Sequence, residues 1–408
     1  MLCCKPGAVE FPLDEKSLNL PDHLQRVRAA AERALAPIRP AGASTATPQN
    51  LLFDAQRTDA GRNLPPYYLV YFLLIDLLEF KNLGQFEKLA WSVPVDYKGK
   101  AFLIEHRKFG IGIFVDNPQA HETEAAEIAT RIQKATKVAR PYFEWRAESA
   151  VADSKLNVKN YTDELHQRFQ YVYGEYQKIV ADIRREEERR RSLSREERMS
   201  DWDGYFSEPY TLTEKAAWLA SAAIDAFFSF TEHVFIHLAI LQGTISTGNE
   251  VASLASADWG NKFKAVFDLQ EPTSKRFYDD LTEIRRQHRN FVAHGSFGKQ
   301  GEAFSFHSGA GAAPVLLPHM RGSRKFALTG PLTVNDPEGI QVILNFMNYL
   351  WSGGREPARI YLQRTSLPVI LTMAANGTYA KAMQSCEEME SLAEHMVEQW
   401  DRSANMDW

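Results

Sequence analysis

Apolar residues recur at helical spacing through most of the chain, and this pattern predicts a mainly α protein. Segment 213–243 is apolar almost all round, as in a helix packed on several sides, with Thr213 as its N-cap and Gly243 just past its end. Segment 65–80 is the most apolar run, but it is too short to span a membrane and is predicted to be a buried helix. Further helices are predicted at 20–38, 122–151 with a kink at Pro141, 249–270 as one helix or two short ones, 273–294 with Thr273 as cap, 335–351 and 378–402.

Two regions depart from the helical pattern. Residues 92–118 carry apolar stretches on either side of a short basic pair, which predicts an antiparallel hairpin. Residues 296–333 contain short strand-like pieces at 303–307 and 325–329 among glycines. The glycine-rich stretch 308–314 is followed neither by the lysine and hydroxyl residue of a phosphate-binding loop nor by a helix start, so a mobile loop is predicted there.

Changes in polarity along the chain predict its domain organisation. A smaller α/β domain is predicted at 1–150, a long charged helical connector at 151–205, a helical domain at 206–360 and a helical tail at 361–408. Within the connector, residues 184–199 interleave glutamates with arginines three and four positions apart. Such pairs support one another on a solvated helix, so this run is not interpreted as an arginine tract that binds RNA.

Composition narrows the class of protein. Of the 408 residues, 44% are hydrophobic and 24% are charged, which is typical of a soluble globular chain. The formal net charge of −5 excludes a global basic field, so any polyanion would bind at a local patch. Three cysteines are too few for a disulfide framework, and the chain has neither a CxxC pair nor a signal peptide, so a reducing cytoplasm is expected.

The segment RRQHRNFVAHGSFG, residues 285–298, concentrates positive charge at the end of a predicted helix. No acidic residue occurs between positions 284 and 301. On an ideal helix Arg289 and His294 diverge by about 140°. They converge on one ligand only if the last turn distorts, if the arginine uses its length, or if a second chain contributes. Arginines near a helix end also complement the helix dipole, so the residues alone leave ordinary surface charge as an alternative.

The string from Arg289 to His294, its position before a glycine and its helical neighbourhood resemble the R-x4–6-H motif of the HEPN superfamily over about residues 210–352. HEPN domains are α-helical bundles, and many are metal-independent ribonucleases of toxins, anti-phage systems and CRISPR effectors. The resemblance implies a HEPN-like bundle that cleaves RNA through its 2′-hydroxyl, in a homodimer whose two motifs build one cleft. It implies no metal and no cofactor. Nothing comparable covers residues 1–205.

Roles for individual residues follow from this resemblance. His294 would be the base or acid because imidazole titrates near neutrality, and Arg289 would clamp the phosphate. Asn290 would orient His294 or the phosphate. Ser296 stands where some HEPN toxins carry a tyrosine. AMPylation of that tyrosine silences those toxins, so this form of regulation is not expected here. The supporting or RNA-binding residues expected around the motif are Glu232, Arg285, Arg286 and Ser296.

The resemblance also implies RNA as the substrate and a role in bacterial anti-phage defence (abortive infection) or as a toxin. The N-terminal domain would then sense or gate, with a phage-derived molecule or a nucleotide as trigger, and no membrane is expected as a partner. One alternative is a non-catalytic HEPN-like module for dimerisation or nucleotide binding.

The predicted helix 213–243 offers further candidates. Its His233 and His237 are four apart, which is a spacing that can bind zinc, so a metal enzyme is another alternative. Glu232, with Asp225 as a second candidate, would either orient the arginine and histidine of the motif or form a structural salt bridge. His288 belongs to the core stripe of its own helix and is predicted to be a packing histidine.

Overall fold

The computed structural model describes residues 20–85, 89–194, 197, 202–294, 302–309, 311–316 and 336–405. Side chains are described in these ranges except at 202–209, 290–294, 302–305, 314, 316 and 402–405. The mainly α fold expected from the sequence is confirmed. The chain forms two compact units: the first ends at Ser149, and the second runs from Ala150 to Ala404.

The first unit combines helices with one antiparallel sheet in the order β1-β3-β4-β5-β2. Its helices are α1 (Asp22–Leu35), α2 (Leu51–Asp54), α3 (Tyr67–Tyr71) with a π-helical continuation at Phe72–Leu77, α4 (Pro118–Val138) and α5 (Arg140–Ala152), and a 3₁₀ turn lies at Ala60–Asn63. Its strands are β1 (Arg39–Pro40), β2 (Gln56–Arg57), β3 (Leu89–Tyr97), β4 (Lys100–Arg107) and β5 (Gly110–Val115).

The predicted hairpin within 92–118 is confirmed as β4 and β5, and β3 adds a second hairpin in front of it. The turn between β3 and β4 is formed by Lys98 and Gly99, whose φ angles of 54° and 85° lie in the left-handed region that glycine tolerates best. The buried helix expected at 65–80 is also confirmed, because Val70, Leu73, Leu74 and Leu77 are completely buried.

The second unit is built from helices and two short antiparallel strand pairs, of which one is a hairpin. Its helices are α6 (Thr162–Ser192), α7 (Trp202–Leu241), α8 (Gly248–Ser256), α9 (Trp259–Val266), α10 (Pro272–His294), α11 (Asp336–Leu350), α12 (Glu356–Arg359) with a π-helical continuation at Ile360–Thr365, α13 (Leu371–Ala375), α14 (Thr378–Ala382) and α15 (Cys386–Asn405), and a 3₁₀ turn lies at Gly353–Arg355. Strand β6 (Asn157–Val158) pairs with β9 (Val369–Ile370), and β7 (Glu302–Ser308) pairs with β8 (Gly311–Leu316).

An aromatic core surrounds the long helix α7. Phe227 and Phe235 of α7 are fully buried and contact Phe346 of α11 edge-on. Trp259 at the start of α9 lies in the same core, where its indole N–H donates to the hydroxyl of Thr231 at 2.9 Å. This bond satisfies the buried indole N–H, while the Thr231 hydroxyl itself donates to the carbonyl of Phe227 at 3.0 Å. The core therefore fixes how α9, α10 and α11 meet α7.

The predicted connector and tail belong to the helical unit. Phe169 and Tyr176 of α6 are buried in the same core as α7, and so are Tyr361 and Met389 from the C-terminal part. The limit expected between connector and helical domain, at 205–206, therefore does not separate two compact units, and the separation lies at Ser149, close to the expected end of the first domain at 150. The charges of α6 concealed this packing in the sequence, because its apolar residues at heptad-like spacing stand among glutamates and arginines.

The observed ends of several helices differ from those predicted from the sequence. Helix α7 begins at Trp202, so Thr213 lies inside it and is not its N-cap. Its end is as predicted: Gly243 has a φ of 75°, and the N–H of Thr244 donates to the carbonyl of Ala239 at 2.9 Å. Helix α10 begins at Pro272. Its N-terminus is capped by the carboxylate of Glu271.

The carboxylate of Glu271 accepts from the backbone N–H groups of Thr273 and Ser274 at 3.0 and 2.6 Å. Glu271 therefore caps the start of the helix, which is the role expected of Thr273. The glycine-rich stretch 308–314 is not a loop, because it contains the turn and most of the second strand of the β7–β8 hairpin. The strand-like piece at 303–307 is confirmed within β7. The piece at 325–329 lies outside the described residues.

Within α7, residues Tyr210–Leu241 are long and apolar enough to cross a membrane by length and composition. The most apolar part of this stretch is 72% buried within the protein's own core. Among the described residues no other helix passes the same test. The apolar character of α7 is thus explained by the helices packed around it.

Candidate functional site

Most of the charge on the motif helix α10 is neutralised within one turn of the same helix. Lys275 pairs with Asp279, and the guanidinium of Arg276 lies 3.6 Å from the carboxylate of Asp280. Arg286 pairs with Glu283, although its Nε atom is buried without a partner among the described residues. These three pairs account for all three acidic side chains of the helix.

Two further basic side chains of α10 pair with carboxylates of the long helix α7. Arg285 donates through Nη2 to Glu232 at 2.6 Å, and His288 contacts Asp225 at 2.8 Å through Nε2. Although no acidic residue occurs between positions 284 and 301, Arg285 and His288 therefore have carboxylate partners within the same chain. Their counter-charges are more than fifty positions away in the sequence, so local inspection could not find them.

Arg289 differs from these neighbours. Its side chain is exposed, and among the described residues it has neither a carboxylate nor a hydrogen-bond partner. Of the charged side chains described on α10, it is the one without a counter-charge. An exposed and unpaired guanidinium retains its N–H donors for a ligand, and the geometry of those donors suits phosphate.

The structure places the other motif residues only in part. Asn290 and His294 lie in α10, which is helical through His294, but their side chains are outside the described part of the chain. Ser296 lies outside the described residues. Because the backbone stays helical, Arg289 and His294 start about 7.5 Å apart along the axis and about 140° apart around it. The distorted last turn that would bring them together does not occur before His294.

Glu232 takes a role that the sequence left open. Its carboxylate does not contact Arg289: one oxygen accepts from Arg285 at 2.6 Å and the other from Lys262 of α9 at 3.2 Å. Lys262 was missed in the sequence, although it directly precedes the buried Phe263 in a short helix. A lysine at such a position requires a carboxylate partner, and this requirement could have flagged it.

His288 is a packing histidine, as predicted. Its side chain is 9% exposed, and its bond to Asp225 joins α10 to α7. Asp225 does not contact Arg289 either. Glu232 and Asp225 of α7 thus hold the helix that carries the motif, and among the described contacts neither is bonded to Arg289.

The pair His233 and His237 is engaged by the backbone of the segment before α6. Nε2 of His233 accepts from the N–H of Tyr161 at 2.8 Å, and the two ring nitrogens of His237 lie 2.9 and 3.0 Å from the carbonyl oxygens of His233 and Lys159. Burial lowers the pKa of His233 to about 3, with repulsion from His237 as a second cause, and burial also lowers the pKa of His237. These rings are structural clamps, and a zinc site on them is not supported.

No group of three or more His, Cys, Asp or Glu side chains suitable for a metal occurs in the part of the chain that the structure describes. Comparisons with protein-family models, with curated protein sequences and with solved structures each found no match. The candidate site therefore stands on the chemistry of its own residues.

Proposed function

We propose that this chain is a metal-independent endoribonuclease of HEPN type, with Arg289 and His294 as its catalytic residues. The observation that carries the proposal is the charge pattern of α10. Five other basic side chains of that helix are paired with carboxylates, whereas Arg289, within the motif, is exposed and has no partner among the described residues. An unpaired guanidinium suits a ligand that brings its own negative charge.

The chemistry divides between two side chains. The 2′-hydroxyl of the RNA attacks the adjacent phosphorus, the bond to the 5′-oxygen of the next nucleotide breaks, and a 2′,3′-cyclic phosphate and a 5′-hydroxyl result. His294 takes the proton from the 2′-hydroxyl or gives one to the leaving oxygen. Arg289 stabilises the charge that builds on the phosphorane. Asn290 orients the imidazole or the phosphate.

The angular separation of Arg289 and His294 favours a site shared between two chains. Side chains that start about 140° apart on one helix reach one phosphate more readily when a second copy supplies one of them. A homodimer with two motifs facing each other meets this need. The alternative, a non-catalytic module for dimerisation or nucleotide binding, needs the arginine but not the imidazole.

The test is RNA cleavage in EDTA by the wild-type chain and by three variants. Arg289→Ala is expected to lower the cleavage rate by about 10²–10³ and His294→Ala by about 10²–10⁴. Arg276→Ala is the matched control, because Arg276 is an exposed arginine of the same helix and its side chain is 81% exposed. It is expected to keep the wild-type rate.

Equal rates for all four proteins would overturn the proposal. RNA or nucleotide binding without cleavage by the wild type would support the non-catalytic module. Cleavage that EDTA abolishes would support a metal enzyme. The wider role in anti-phage defence or as a toxin, in the cytoplasm and under a trigger bound by the first unit, is part of the same proposal and comes from the HEPN resemblance.

A further inference from the structure

Three helices contribute charges to one cluster beside the motif. Glu232 of α7 lies between Lys262 of α9 and Arg285 of α10, with its two oxygens 3.2 and 2.6 Å from the respective nitrogens. We call these residues the Glu232 cluster. It carries two positive charges and one negative charge, so it keeps a net charge of one positive unit next to Arg289.

The two cations of the Glu232 cluster differ in exposure. The side chain of Lys262 is 7% exposed, whereas that of Arg285 is 38% exposed. A buried ammonium that loses its partner is costly, so Lys262 must keep Glu232. Arg285 stands at the surface and is free of that constraint. Lys262 therefore balances the carboxylate even when Arg285 binds another anion.

Arg285 is held in place but is not saturated. Its one described hydrogen bond to Glu232 uses Nη2, and its guanidinium carbon lies 5.6 Å from the centre of the Phe228 ring. A guanidinium has five N–H donors. Most of these remain for a ligand, while the bond and the ring fix the direction of the side chain.

Arg285 and Arg289 are neighbours on one face of α10. Residues four apart on a helix have Cβ atoms about 5–6 Å apart. Two cations at this distance repel unless an anion bridges them or a carboxylate balances one of them. The acidic side chains of α10 are all paired with other residues, so none of them blocks this face.

We propose that Arg285 is a second phosphate-binding residue, one nucleotide step from the phosphate on Arg289, and that Glu232 and Lys262 are its positioning residues. The ligand is a single RNA strand whose adjacent phosphates lie along α10. This inference rests on the proposed function, because it extends the same substrate beyond the scissile bond.

The experiment measures binding of the full chain to a 2′-O-methyl RNA oligonucleotide, which cannot be cleaved by its own 2′-oxygen, at several salt concentrations. Each phosphate contact contributes about 0.7 to the slope of log K against log salt for a single strand. Arg285→Ala and Arg289→Ala are each expected to lower the slope by about 0.7, and the double variant by about 1.4. Arg276→Ala is expected to leave it unchanged.

A second pair of variants tests the positioning. Lys262→Met leaves Glu232 to Arg285 alone, so the cluster loses its net charge and RNA affinity at low salt is expected to fall several-fold. Adding Glu232→Gln keeps a side-chain oxygen that accepts from Arg285 and restores the net positive charge, so it is expected to restore most of that affinity. A purely structural role for Lys262 would show no such recovery.

The outcomes separate this inference from the proposed function. If Arg289→Ala lowers the slope and Arg285→Ala does not, the second phosphate site is wrong and the nuclease proposal stands. If neither variant lowers the slope, both are wrong. If Arg285→Ala lowers the slope but Lys262→Met is not relieved by Glu232→Gln, the positioning role is overturned.

Discussion

At the scale of single residues, the site depends on which charges are balanced and which are not. The sequence showed several basic residues near residue 289 and no carboxylate among them, and it left open whether the arginines bind a ligand or are ordinary surface charge. In the folded chain Glu232 and Asp225, both on another helix, pair with Arg285 and His288. Arg289 and His294 could be proposed from the sequence, whereas the pairing that leaves Arg289 alone without a described counter-charge on its helix could not, because it depends on contacts across the fold.

His233 gives a prediction about pH at the same scale. Its pKa is about 3 in the folded chain, mainly because it is buried, against about 6.5 in an unfolded chain. Between these values the unfolded chain binds a proton that the folded chain does not. The free energy of unfolding should therefore fall as the pH drops from about 6.5 towards 3, by up to about 1.4 kcal/mol per pH unit from this residue.

Denaturant unfolding at several pH values measures this effect. His233→Gln keeps a side-chain acceptor for the N–H of Tyr161 and should flatten the pH dependence. His395→Gln, at an exposed position of α15, is the matched control and should leave it as it is in the wild type. An equal effect of both variants would show that the clamp on Tyr161 does not stay neutral.

At the scale of secondary structure elements, the Glu232 cluster ties α7, α9 and α10 together. Glu232→Gln would leave the buried Lys262 without a carboxylate, and we expect the free energy of unfolding to fall by about 2 kcal/mol. Adding Lys262→Met removes the unpaired charge and should recover at least about 1 kcal/mol, as a double-mutant cycle measures. If the two changes in unfolding free energy were strictly additive, an interaction between Glu232 and Lys262 would be contradicted.

The ends of the helices show where prediction from the sequence succeeded and where it failed. Gly243 marks the end of α7 because its backbone conformation favours glycine, and this requirement is local. The break at Ala139 was predictable from Pro141, since proline lacks the backbone N–H that would continue the hydrogen bonds of the preceding helix. The start of α7 was not predictable in the same way. The expected start, Thr213, comes after Pro209, whereas the helix begins at Trp202 and includes this proline. The cap of α10 was not predicted, because threonine is a preferred N-cap residue and glutamate is not, so Thr273 was expected to cap the helix in place of Glu271.

At the scale of the whole molecule, the two units differ in how well their limits could be anticipated. The first unit ends one residue before the predicted limit. The second extends further at both ends than expected, because α6 and the segment after residue 360 contribute to one core. Periodicity identifies a helix but not its packing partner, so a charged helix with an apolar stripe was interpreted as a separate connector.

The proposed sharing of one site between two copies leads to a prediction about the whole molecule. The cleavage rate per chain should fall when the protein is diluted below the dissociation constant of the dimer, and it should recover on concentration. Sedimentation at the same concentrations shows whether the loss of activity coincides with dissociation. A constant rate per chain through a measured dissociation would mean that one chain holds a complete site.

The most direct test of the central claim is an analysis of the ends left on RNA cut in EDTA by the wild type and by Arg289→Ala. If Arg289 and His294 promote attack by the 2′-hydroxyl, the wild type leaves 2′,3′-cyclic phosphate and 5′-hydroxyl ends and the variant leaves almost none. Ends with a 3′-hydroxyl and a 5′-phosphate, or the same yield of cyclic phosphate from both proteins, would contradict it.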